Sequence, residues 1–198
     1  MGYAPYYQAI PEQSDLFRQL QVDGKLVRLL ECLFELGARP LDLDEAGQED
    51  LDDTLEYLAF RESDTVFRSL EDAKQTLLKL RAGIEQANRL SPGLIERRAF
   101  IEKVQDKIEE RLALELQRRG TTDAADLARS LISGERHLAG RFWLVSAGLV
   151  SQAASLFRGI EPDTLFDRVA EDCLYDDYRD WRDLYLHAAD RGEAIIIL

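Results

Sequence analysis

Apolar residues in the middle of the chain fall at Val66, Leu70, Ala73, Leu77, Leu80, Ile84 and Ala87, in alternating steps of four and three. That spacing predicts a long helix with a coiled-coil seam. "LSPG" at 90–93 interrupts it, with Ser91 placed as a cap and Pro92 at the first position of a new helix. The stripe resumes at Leu94, Ile101, Val104, Ile108, Leu112 and Leu116 and stops at Gly120. Two periodic helices joined by a short break predict an antiparallel helical hairpin over residues 64–119, inserted in a single domain spanning 1–198.

The flanks read differently. "GYAPYYQAI" alternates loosely and is closed by Pro11, which predicts a first strand. Leu16, Phe17 and Leu20 begin a helical face, and Leu26, Leu29, Leu30, Leu33, Phe34 and Leu36 make a second stripe before Gly37 and Pro40. "TTDAADLARSLISG" predicts a short helix with a threonine cap. "RFWLV" reads as a strand leading to a helix capped by Ser146 and running towards Arg158. Beyond Pro162, helical stripes continue to Gly192, and the chain closes on "AIIIL". Three isoleucines after a helix stop predict a buried strand, and its most economical neighbour is the first strand. The fold class expected is α+β, mostly helical, with a small sheet formed near both termini beside the helical hairpin.

Charge narrows the function classes. The net charge is −13, which argues against nucleic acid as a partner, because phosphate contacts need clustered Lys and Arg. The acidity is segregated: residues 42–56 carry eight acidic and no basic side chains, and residues 161–193 carry eleven acidic and four basic. These stretches hold −8 and −7, which leaves +2 for the remainder. The start lacks a basic and apolar leader, and the charge-free run from Phe142 to Phe157 is 16 residues, short of the roughly 20 that span a bilayer. No membrane association and a cytoplasmic location are the expectation.

Specific chemistry is sparse. "DLDEAGQEDLDD" at 42–53 has the length of a calcium loop, but Ala46 stands at its fifth position and Asp53 replaces the bidentate glutamate. It reads as an acidic helix start. His137 and His187 lie far from other ligand types, Ser146 lacks a G-x-S-x-G elbow, and Cys32 and Cys173 sit in apolar stripes that suggest buried thiols. His137 reads as a loop residue and His187 as a residue hydrogen-bonded near a helix end. No catalytic residue, metal or cofactor is therefore assigned. The stretch "EDCLYDDYRDWRDLY" is the strongest candidate surface. Asp176, Asp177, Asp180 and Asp183 are expected to face solvent and bind a partner, with Tyr178 or Trp181 as an anchor.

The two ends carry a resemblance. "MGYAPYYQAI", "FWLVSAGLVSQAASLFRGIEPDTLFDRV" and "WRDLYLHAADRGEAIIIL" resemble the opening and closing layout of the YfbM-like family of uncharacterised bacterial proteins. The middle departs from it, with heptads where that family carries a tryptophan and histidine segment. The resemblance implies a bacterial protein and, by analogy with members proposed as toxin-neutralising immunity proteins, a non-enzymatic one. The leading expectation is an immunity-like module that uses acidic surface to bind a basic protein partner. A scaffold forming a homodimer through the hairpin is the alternative, and an uncharacterised hydrolase or transferase the third reading.

Overall fold

The computed structural model describes residues 5–35, 37, 39, 41–43, 53, 55–56, 67–101, 105–139 and 142–198. The fold is α+β. The chain divides into two compact units, each discontinuous in sequence: one comprises residues 1–10, 97–137 and 143–197, and the other 11–96, 138–142 and 198.

A sheet of five strands, most of whose residues belong to the first unit, comprises β1 (Tyr6–Pro11), β2 (Arg98–Phe100), β3 (Arg136–Ala139), β4 (Phe142–Val145) and β5 (Glu193–Ile197), in the order β2-β1-β5-β4-β3. Its middle strand is the isoleucine tail, with the aromatic first strand as one neighbour, as the pattern predicts. β5 pairs antiparallel with β4 through Trp143↔Ile197, Leu144↔Ile196 and Val145↔Ile195, and β1 pairs antiparallel with β2 through Tyr7↔Ala99. Every residue of β5 is buried, including Glu193, whose carboxylate is held by Arg97 Nη2 at 2.6 Å and Nε at 3.1 Å. Such a charge tolerates burial only when paired.

Helices cover this unit's core. They are α4 (Gln105–Arg118), α5 (Ala124–Ser133), α6 (Ala147–Phe157), α7 (Pro162–Leu165) and α8 (Asp172–Arg191). α4 packs on α5, placing Ile108, Leu112 and Leu116 in one cluster with Ala124, Ala128 and Leu131. α6 and α8 pack on each other and on β5, bringing Phe157, Trp181, Tyr185, Val145 and Ile195 together. α5 ends at Gly134, whose φ of +87° suits glycine, and a Cβ there would lie 2.6 Å from Trp143 Cβ.

The second unit contains α1 (Asp15–Leu20), α2 (Gly24–Glu35) and α3 (Leu70–Leu90). Ser14 caps α1 by accepting from Phe17 N, and Ser69 caps α3 by accepting from Asp72 N. The buried stripe of α3, Ala73, Leu77, Leu80, Ile84 and Ala87, follows the predicted heptads, but its partners are α1 and α2. Lys25 Nζ meets Asp72 at 2.6 Å and Lys79 Nζ meets Asp23 at 3.3 Å along that packing.

The expected hairpin over 64–119 is thus corrected. Residues 91–96 form turns, Ser91 ends α3 instead of starting a helix, and strand β2 separates α3 from α4. The two helices belong to different units and bury their stripes against different partners. A heptad records that a stripe is buried and carries no information about what covers it. The threonine cap expected for "TTDAADLARSLISG" is likewise replaced: the residue before α5 is Asp123, at φ 54°, with no side-chain cap bond. Ser146 does cap α6, accepting from Leu149 N.

Candidate functional site

α8 supplies the candidate surface, and its sequence sorts two faces by spacing. Leu174, Tyr175, Tyr178, Trp181, Leu184, Tyr185 and Ala188 recur at threes and fours and are buried. The opposite stripe runs Asp172, Asp176, Asp180, Asp183, His187 and Asp190, with Asp183 half-buried and the others exposed. A helix is stable in this position because burying the first stripe leaves every charge of the second in water. Gly192, in the left-handed region at φ 65°, ends it.

The inner face is an aromatic cluster. Trp181 lies 4.7 Å from Tyr185 and 5.2 Å from Phe157, centroid to centroid, and Tyr7 meets it edge-on at 6.2 Å. Tyr178 donates to Ile160 O at 3.2 Å and Tyr185 to Leu131 O at 2.6 Å. Burial pushes both phenols above their ordinary ionisation range. Tyr178 and Trp181 are 0% exposed, so neither reaches a partner, and the anchor role expected of them is corrected. Helical geometry explains it. Position 178 is two residues from 176 and 180, which turns it about 200° away from the aspartates.

Arginines hold the outer face in one geometry. Arg179 bridges two successive turns, donating to Asp176 Oδ1 at 2.7 Å and to Asp180 Oδ1 at 2.9 Å. The Asp180 carboxylate, with Asp176 and Asp183 nearby, raises its guanidinium above the usual value. Arg182, nearly buried, donates to Phe157 O at 3.0 Å, Glu161 at 2.7 Å and Asp183 at 3.2 Å. At the start of α8, Arg111 grips Glu171 at 2.6 and 2.5 Å and Leu165 O at 2.7 Å, and lies 4.9 Å over the Phe166 ring. The end is tied by Arg158 to Asp190 at 3.2 Å. Asp177 is half-buried beside this stripe.

No family model, curated protein or solved structure matches the chain. The site therefore rests on its own geometry.

The calcium-like loop at 42–53 lies outside the described residues apart from Asp42, Leu43 and Asp53. Among the described residues no group of three His, Cys, Asp or Glu side chains converges on a metal position, and no helix is long and apolar enough to cross a membrane. Cys32 is buried, whereas Cys173 is exposed, because position 173 falls on the outer side of α8. His137 lies on β3, not in a loop, and its ring meets Trp143 edge-on at 4.9 Å. His187 is exposed on the acidic stripe.

A concavity belongs to the 11–96 unit. It has a volume of about 450 Å³ and is walled by the aliphatic side chains of Leu41, Leu43, Ile84 and Ile95. Arg81, Glu85 and Asn88 of α3 supply its polar edge. Sequence reasoning missed it, since these residues come from three separated segments and no local spacing joins them.

Proposed function

We propose that this protein is a cytoplasmic, non-enzymatic binding module whose α8 surface docks a basic protein partner. One observation carries the reading: five aspartates, Asp172, Asp176, Asp180, Asp183 and Asp190, share one side of a helix whose other side is locked in an aromatic core. A surface held by Arg111, Arg179 and Arg182 loses little freedom on docking, so its charge can act on encounter without an ordering cost. Segregated charge of this kind steers an oppositely charged partner and speeds association by roughly 10- to 1000-fold at low salt. The terminal resemblance to YfbM-like proteins favours an immunity-like role within this reading. The partner's anchor must come from its own basic residues, since the aromatics of α8 are inside.

The test is selective retention from an extract of the source cells, with the unaltered protein and Asp176→Lys/Asp180→Lys immobilised side by side. Basic proteins held by the first and released by the second support the reading. Equal retention on both surfaces contradicts it. Asp176→Asn/Asp180→Asn, which removes charge without adding repulsion around Arg179, should fall between them.

A further inference from the structure

The cleft of the 11–96 unit has a chemistry of its own. Arg81 is half-buried at its edge and makes no hydrogen bond or ion pair among the described residues. Among the described lining residues the one other charged group is Glu85, an exposed side chain that pairs with Arg89 at 3.4 Å on the same helix. Asn88 Oδ1 accepts from Leu94 N at 3.1 Å, which fixes the amide orientation and leaves its Nδ2 as a donor. The aliphatic wall is held at a conformational cost. Leu41 is buried with φ 63°, a region that leucine rarely adopts, between Arg39 and Asp42, where Asp42 N donates to Arg39 O at 3.0 Å. A strain of this kind persists only where the surroundings impose it.

From these features we infer that the cleft binds a small aliphatic carboxylate, with Arg81 on the carboxylate, Asn88 as a second donor, and Leu41, Leu43, Ile84 and Ile95 around the hydrocarbon. Guanidinium and carboxylate match as a fork, which makes this pairing stronger and more directional than a neutral one. The volume lies within the range of ordinary ligand sites and exceeds what a chain of six to eight carbons needs. Nothing in this inference depends on the α8 surface.

The 198-residue chain is titrated calorimetrically with sodium butyrate, hexanoate and octanoate, and with hexanol and hexylamine. Saturable binding should tighten by about fourfold for each methylene buried. Hexanol and hexylamine should bind at least about tenfold more weakly than hexanoate, the order expected for losing a charge-assisted pair. Arg81→Met should reduce hexanoate to the level of hexanol, while Arg81→Lys retains part of the difference. The comparison of hexanoate with hexanol on the unaltered protein decides the matter even if a variant misfolds. No saturable carboxylate binding, equal binding of acid and alcohol, or unchanged affinity in a folded Arg81→Met variant would overturn the assignment.

Discussion

Two buried tyrosine hydroxyls finish the last turn of α5, and removing them has a calculable cost. The carbonyls of Leu131 and Ile132 lie where the helix offers no further N–H, because the chain turns away at Gly134 and Glu135 N bonds instead to Leu144 O. Tyr185 on α8 donates to Leu131 O at 2.6 Å, and Tyr7 on β1 donates to Ile132 O at 2.7 Å. Both rings are 0% exposed, so water cannot replace a lost donor. Tyr185→Phe and Tyr7→Phe should therefore each cost about 1–3 kcal/mol, the penalty of a buried carbonyl left without a partner, and not the smaller net value of an average hydrogen bond. The two hydroxyls serve adjacent carbonyls and both rings pack on Trp181, so the double variant should depart from the sum of the single losses by about 0.5–3 kcal/mol. Urea unfolding followed by far-ultraviolet circular dichroism measures this directly: the midpoint should fall while the slope with denaturant stays constant. Tyr178→Phe, whose bond to Ile160 O is longer at 3.2 Å, should cost less and serves as the internal comparison. Losses below about 0.5 kcal/mol in both single variants would show that the α5 terminus does not depend on the tyrosines.

Three further outcomes follow from other parts of the structure. Glu115 is nearly buried and accepts from Arg118 at 2.7 Å and Arg119 at 2.6 Å, which lowers its carboxyl to about 2, with the Arg118 bond the largest cause. Since the unfolded chain takes up that proton first, its stabilisation is complete above about pH 4.5 and is lost as pH falls towards 2; Glu115→Gln should flatten that part of a stability-versus-pH curve, and an unchanged curve would assign acid sensitivity elsewhere. Gly134→Ala places a methyl 2.6 Å from Trp143 Cβ at a φ of +87°, and thermal melts should show a loss on the order of 3 kcal/mol. Ile195→Ala in the central strand should cost about 2–5 kcal/mol through the cavity it leaves, and deletion of 194–198 should abolish cooperative folding; a deleted chain melting normally would mean that β5 is dispensable.

The sequence announced its termini better than its middle. Ile195, Ile196 and Ile197 could only be a buried strand, and the aromatic first strand is indeed its neighbour. The stripes of α1, α2, α6 and α8 were equally legible, because each spans a buried face with clear stops. The hairpin misled because Arg98–Phe100 is only three residues long and polar at its start, too short to interrupt a period read across it. β3 was missed because "RHLA" is an outer strand without an apolar run. For the candidate surface, Asp176 and Asp180 face solvent whereas Asp177 and Asp183 are half-buried, and Tyr178 and Trp181 stand near them in sequence alone. On a helix, neighbours two residues apart face opposite ways. The Arg81 cleft and the tyrosine caps depend on contacts between distant segments, which no single-chain pattern records.

Association kinetics with a retained basic partner, followed by stopped flow across ionic strength, bear on the role of the α8 aspartates more closely than any stability measurement. If the stripe from Asp172 to Asp190 steers encounter, the rate should fall steeply as salt shortens the Debye length below about 8 Å. Asp176→Lys/Asp180→Lys should slow it at least about tenfold at low salt while unfolding remains unchanged. A rate independent of salt, or one unaltered by the charge reversal, would leave these aspartates as solvating groups and the surface without a partner to steer.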